Sequence, residues 1–254
     1  MKNILSFSLC SLLCMWLTSC MGEPGNSMLY FRYGVATTEP SLSLLIYEGG
    51  DIRQITFPEL NTSGAKAGDC FLIQFNTDFS KASTKGVHTV EMISFDLLPQ
   101  HTLEETEELL PDTIPDVNEQ FFTVNMNNGQ FLNGHFFLHL DLKNCLEEQT
   151  EEFSFVFNAD SVFHESEKEG RYYEFCLRAI RNGGTDTLNT TVTEIHTFNM
   201  YEYLKEAAAK EQEEEKDSIY FRFQYPNRVQ VVSGDSILTW TQTALYGVRL
   251  SEID

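Results

Sequence analysis

The sequence predicts an all-β protein: an N-terminal OB-like small barrel followed by a C-terminal antiparallel β-sandwich with one inserted helix. Three observations carry this. The chain holds 20 Phe and 10 Tyr, and aromatic and β-branched side chains fit pleated, half-buried surfaces. Short runs of alternating apolar and polar residues recur, punctuated by Gly, Asn and Asp. A helical signature occurs in one stretch, residues 199–216. At 254 residues the chain suits two modest domains, here divided into 28–99 and 120–254 with an acidic linker over 100–119. Hydrophobic residues make up 42%, enough to fill real cores and to exclude global disorder.

Residues 1–19 read as a lipoprotein signal peptide. Lys2 supplies a positive start, and Ile4 to Leu17 form an apolar run too short to span a bilayer. The run ends in Leu17-Thr18-Ser19-Cys20, similar to the bacterial lipobox, in which the cysteine thiol receives a diacylglycerol before cleavage. Cys20 would then be the first residue, acylated on sulfur and, with a group such as palmitate, on its amine. More than one chain makes a stable anchor. Residues 20–27 are a polar tether.

The first domain reads as five strands. Met28 to Val35 is aromatic-rich. Leu42 to Tyr47 and Ile52 to Phe57 flank Gly49-Gly50-Asp51 and form a hairpin. Cys70 to Phe75 alternates, and Val87 to Leu97 reads as one long strand ending before Pro99. A single long connection, Pro58 to Lys66, suits a Greek-key barrel of OB type. Pro111, Pro115 and many acids mark the linker, with a helical turn expected over Thr102 to Leu110.

In the second domain Phe136, Leu138, Leu140 and Leu142 share one strand face, and His139, Asp141 and Lys143 the other. Further strands read at 121 onward, 153–158, 171–181, 187–196, 219–225, 229–232 and 236–241, a number that fits an antiparallel sandwich. In the helix, Tyr201, Leu204 and Ala208 form a short apolar stripe, and Glu206 and Lys210 pair four apart. Its charged end, through Glu213-Glu214-Glu215, is expected to stand in water.

The formal charge of −21 repels phosphate backbones, so nucleic acid is excluded as a partner. Of six cysteines, Cys10 and Cys14 fall in the leader and Cys20 is the lipid site. Cys70, Cys145 and Cys176 remain and allow at most one disulfide; without a CxxC pair they read as buried thiols rather than a metal or redox site. No cofactor is indicated. Phosphate-binding glycine loops, zincin helices and nucleophile elbows are all missing from the sequence. His135 and His139 lie four residues apart on a strand, roughly 13 Å, too far to share a metal. No catalytic residue and no metal ligand is assigned.

Together, the Leu17–Cys20 lipobox, Tyr33-Gly34-Val35-Ala36-Thr37, the Gly49-Gly50 hairpin, Ala67-Gly68-Asp69-Cys70-Phe71-Leu72-Ile73 and Asn128-Gly129-Gln130-Phe131-Leu132 resemble the NigD-like lipoproteins of Gram-negative gut anaerobes. The resemblance spans nearly the whole mature chain. It implies the OB-type domain, the sandwich and the lipid anchor, and it supplies no catalytic residues. Many relatives follow the acylated cysteine with a run of acids, a signal for surface export; Met21-Gly22-Glu23-Pro24 holds a single acid. The implied location is the cell envelope, at the outer membrane, on either its periplasmic or its surface face.

Exported proteins of such bacteria carry O-glycans on Asp-(Ser/Thr)-aliphatic tripeptides, and this chain has five, centred on Thr113, Ser161, Thr187, Ser218 and Ser236. The same pattern hands a turn over to a strand; Thr113, in the linker, is the most accessible candidate.

The leading functional reading is a non-catalytic envelope lipoprotein, held on the lipid bilayer by its acyl anchor and binding a protein or a glycan. OB barrels bind on one face and its flanking loops, which would place Tyr30, Tyr33, Tyr47, Arg53 and Phe79 on a binding face. The alternatives are a carboxylate-dependent, glycan-active hydrolase with its site between the domains, and an assembly partner using the acidic helix. A pocket with two carboxylates favours the enzyme, an exposed aromatic patch favours binding, and a protruding helix favours assembly.

Overall fold

A computed structural model describes residues 28–107, 118–143, 150–182 and 190–253. The signal peptide, Cys20, Thr113, Cys145 and Thr187 lie outside the described residues. Among the described residues the chain is all-β with one α-helix and two short 3-10 turns.

Six strands form the first sheet: β1 (Met28–Thr37), β2 (Ser43–Glu48), β3 (Asp51–Thr56), β4 (Cys70–Thr77), β5 (Val87–Thr89) and β6 (Glu91–Leu97), in the order β5-β3-β2-β1-β4-β6. The stretch expected as one strand, Val87 to Leu97, is therefore two. Its first part runs parallel to β3 and its second antiparallel to β4, with Val90 between them buried in the core. One continuous segment thus pairs with both edges and curls the sheet into a half-barrel, the arrangement that relieves open edges in OB-type barrels. Leu44, Ile46, Ile55, Ile73 and Phe75 alternate inward and are fully buried.

Residues 100–105, expected to open a linker, instead carry two short strands. β7 (Gln100–Thr102) and β8 (Glu104–Glu105) each run parallel to an edge of the sheets that follow. Thr102, expected to begin a helical turn, is extended. Such short edge strands need little apolar alternation, because backbone pairing holds them.

The second unit is a sandwich. One sheet is β7-β14-β10-β9, with β9 (Phe122–Leu132), β10 (His135–Lys143) and β14 (Thr191–Asn199). β9 and β10 join through Asn133-Gly134, both at positive φ, the favoured chemistry of a two-residue hairpin. The other sheet is β16-β15-β13-β11-β8, with β12 and β17 added at its margins. It uses β11 (Thr150–Phe157), β12 (Phe163–Ser166), β13 (Gly170–Asn182), β15 (Ser218–Val232), β16 (Asp235–Gln242) and β17 (Tyr246–Arg249). The two segments expected at 219–225 and 229–232 are one strand, β15, whose register against β16 shifts between Pro226 and Arg228. That irregularity is where a proline is tolerated within a sheet. The sandwich is antiparallel except where β7, β8 and the β13–β15 pair run parallel.

The β13-to-β15 crossover passes through β14 and the helix, α1 (Tyr201–Glu213). Leu204, Ala207, Ala208 and Glu211 are its buried residues, the i, i+3, i+4, i+7 set of a half-buried helix. Asn199 Oδ1 accepts the Tyr201 N–H at 3.1 Å. Glu213, Glu214 and Glu215 are exposed, as expected, while Glu211 is not.

The two units share a small core of Val35 and Cys70 against Leu132 and Phe137. Tyr33 stacks on Phe137 with ring centroids 4.6 Å apart, and its hydroxyl hydrogen-bonds His139 Nε2 at 2.5 Å. Burial pushes the Cys70 thiol up to about 12, so it is an inert apolar filler.

Candidate functional site

The cavity with the most defined chemistry lies where α1 crosses β11 and β13. It has a volume of about 380 Å³, within the range of small-molecule sites (roughly 300–1,000 Å³). Four aromatic rings wall it. Tyr203 of α1 meets Phe157 edge-on at 4.6 Å and Tyr173 at 5.8 Å, and Phe163 of β12 lies 5.5 Å from Tyr173. Glu105 from β8, Glu206 and Lys210 from α1, and Arg171 from β13 complete the lining.

Behind this wall sits Glu211, buried two residues before the charged run Glu213-Glu214-Glu215. Its carboxylate accepts Arg171 Nε and Nη2 at 3.1 and 3.2 Å, and the Tyr173 hydroxyl at 2.8 Å. A two-pronged guanidinium contact fixes both partners in one plane, and it holds Arg171 4.9 Å above the Phe163 ring. Burial, then the hydrogen bond to Glu211, raises the Tyr173 hydroxyl well above its ordinary value; burial does the same for Tyr203. Both phenols are therefore neutral. The site joins flat apolar faces to fixed cations, acids and a phenol, which suits a small ring compound bearing hydroxyl groups. The two acids, Glu105 and Glu206, are exposed.

The five residues expected to form one binding face are split by the alternation of the strands. Tyr30, Arg53 and Phe79 meet at the mouth of the barrel: Tyr30 and Phe79 are 5.3 Å apart, and the Arg53 guanidinium lies 4.9 Å over Phe79. Tyr33 and Tyr47 are on the opposite face, beside a shallow groove that also includes Phe31 and Gln130. Among the Asp-(Ser/Thr)-aliphatic positions, Ser161 follows β11 in a turn held by Asn158, Ser218 begins β15 and hydrogen-bonds Asp217, and Ser236 lies exposed on β16.

One cluster had no sequence signal. His196 Nε2 donates to Glu194 at 2.9 Å, which leaves Nδ1 to accept from His101 Nε2, also at 2.9 Å. The rings pack against Phe153 and Phe198. Burial, then the proximity of His196, lowers His101 to about 4. Among the described residues no group of three or more His, Cys, Asp or Glu is arranged to hold a metal ion.

No family model and no curated protein matches the chain. Solved structures do. An uncharacterized protein from Parabacteroides merdae, 19% identical, matches with a TM-score of 0.66 over 87% of this chain and 99% of its own. A candidate lipoprotein from Bacteroides fragilis, 10% identical, matches with a TM-score of 0.54 over 88% and 98%. The chain shares their fold. A NigD-like immunity protein from Bacteroides caccae is also among the neighbours, at 14% identity and a TM-score of 0.44 over 87% and 97%. At these identities the likeness to the first two is one of fold alone.

Proposed function

We propose that the protein is a NigD-like envelope lipoprotein of the outer membrane, anchored through acylated Cys20, that binds a glycan without cleaving it. The cavity beneath α1 carries this reading: it stacks aromatic faces against a sugar's apolar side and offers Glu206, Lys210 and the Tyr203 hydroxyl to its hydroxyl groups. Aromatic rings supply large contact areas with a polar handle, and Arg171 is held rigid by a buried partner, which lowers the ordering cost of binding. The lipobox residues and the fold shared with a candidate lipoprotein support the envelope setting.

A glycan array probed with the mature chain tests this. Binding that is lost in Tyr203→Ala and Phe163→Ala, with the fold intact by circular dichroism, is the expected result. An array without hits, or hits unaffected by both variants, would overturn the cavity's role. Release of reducing sugar from a bound glycan would instead favour the hydrolase reading, with Glu105 and Glu206 as its acids. The mass of the N-terminal peptide from native membranes checks the anchor separately.

A further inference from the structure

Apolar side chains on the outer face of the first sheet extend beyond the part that the second unit covers, with Gln74 and Asn76 of β4 beside Phe31 and Leu29. Val35 and Cys70 are sealed beneath Phe137 and Leu132. Further along, the register sets Ile52 beside Tyr47 on neighbouring strands, with Phe31 and Leu29 continuing the same face of β1. These four are bare: Leu29 is 53% exposed, Phe31 59%, Tyr47 42% and Ile52 46%. Alternation explains why they share a face and why their neighbours do not. Arg32 and Glu48, which line the groove beside Phe31 and Tyr47, pair with each other and so bring no net charge to the edge of the patch.

We propose that this bare face rests on the zwitterionic lipid interface of the membrane that holds Cys20. The inference depends on the lipid-anchored reading above. Its basis is the length and end point of the chain before β1. Residues 21–27 separate Cys20 from Met28, and a chain extends at most about 3.4 Å per residue, so the start of β1 stays within about 27 Å of the anchored cysteine. Leu29 and Phe31 follow at once on that strand. So short a tether gives a high effective concentration, at which a patch too weak to bind alone engages its surface. Tyrosine and phenylalanine partition readily into the boundary between headgroups and acyl chains. The net charge of −21 opposes anionic headgroups, which selects phosphatidylethanolamine- or phosphatidylcholine-like surfaces.

The test uses the full mature lipoprotein in phosphatidylethanolamine–phosphatidylcholine vesicles containing brominated lipid, with Cys145→Ser to leave the buried Cys70 and Cys176 unlabelled. A bimane on Tyr47→Cys should be quenched at least several-fold more than one on Val231→Cys. Val231 lies ten residues along β15 from Phe221, roughly 33 Å. Adding Phe31→Ser and Ile52→Ser should abolish the difference. Equal quenching at both sites would overturn the proposal. So would a label at 47 that escapes lipid quenching but is shielded from aqueous acrylamide, since that shows a protein or a second copy on the patch. The N-terminal peptide mass reports acylation independently. If Cys20 carries no lipid the anchored reading fails by itself, and a Cys20→Ser chain held to the vesicle by an N-terminal histidine tag on a chelating lipid lets the same quenching comparison decide on the patch.

Discussion

Glu211 offers the sharpest test of how α1 and its cavity are held. The side chain is 3% exposed and accepts three hydrogen bonds, two from Arg171 and one from Tyr173. In Glu211→Ala the arginine is left half-buried, with Glu165 3.8 Å away on the exposed side and Glu214 also within electrostatic reach. Removing one partner of a buried ion pair costs about 3–5 kcal/mol; with Glu165 and solvent in reach, the lower end applies, about 3 kcal/mol. At roughly 2–4 °C per kcal/mol for a chain of this size, the melting temperature should fall by about 6–12 °C. Glu211→Gln keeps the shape and one acceptor, and should fall by about half as much. Glu213→Gln, two residues on and exposed, should be neutral within ~0.5 kcal/mol. Differential scanning calorimetry of the three variants reads all of this. If Glu211→Ala melts within 2 °C of the parent, roughly, the carboxylate is no keystone and the rigidity assigned to Arg171 falls with it.

Three further outcomes follow from the geometry. His101, held at about 4 by burial and by His196, is kept neutral by the fold, so its contribution is present above the unfolded value near 6.5 and is lost as pH falls from there through 4. At 1.36 kcal/mol per pH unit this is about 3 kcal/mol, or about 2 after solvent screening. Urea midpoints between pH 7 and 4 should therefore drop more steeply in the parent than in His101→Phe, and parallel slopes would refute it. Gly134 sits at a φ of +78° with its missing Cβ 2.4 Å from Tyr201 Cβ; Gly134→Ala should cost at least ~2 kcal/mol through strain and overpacking, readable in the same urea titration. Tyr33→Phe removes the hydroxyl bonded to His139 while keeping the stack on Phe137, so a loss of about 1 kcal/mol is expected by denaturant unfolding, against several for Phe137→Ala.

The parts of the fold that depend on alternation could be read from the chain. Leu138, Leu140 and Leu142 predicted a buried face and are fully buried; Gly49-Gly50 predicted the β2–β3 turn. What could not be read depends on long-range pairing. Nothing in Val87 to Leu97 says that it changes partners at Val90, and nothing in Gln100 to Glu105 announces two edge strands. Pro226 and the residues around it gave the appearance of a gap in what is one strand. The cavity draws Phe157, Phe163, Tyr173 and Tyr203 from four elements, and no local motif links them. Glu211 had a signal that its acidic neighbours masked: it stands seven residues after Leu204 and four after Ala207, on the buried stripe of the helix. His101 and His196 are 95 residues apart, beyond any spacing rule.

The placement of the buried acids bears on whether the cavity binds or cuts. A glycosidase needs one carboxyl held protonated by an apolar setting beside a second that stays ionised. Among the described residues of the sandwich the acids most removed from water are Glu211 and Glu119, and each is clamped by an arginine, Arg171 in one case and Arg178 at 2.7 Å in the other. Each clamp occupies both carboxylate oxygens with arginine N–H groups. Glu105 and Glu206, the acids that do face the cavity, are exposed. Glu211 thus fixes Arg171 and Tyr173 of the cavity wall, while Glu105 and Glu206 stand solvated at its rim. That arrangement is the one the glycan-binding proposal uses, and the array with Tyr203→Ala and Phe163→Ala is its test.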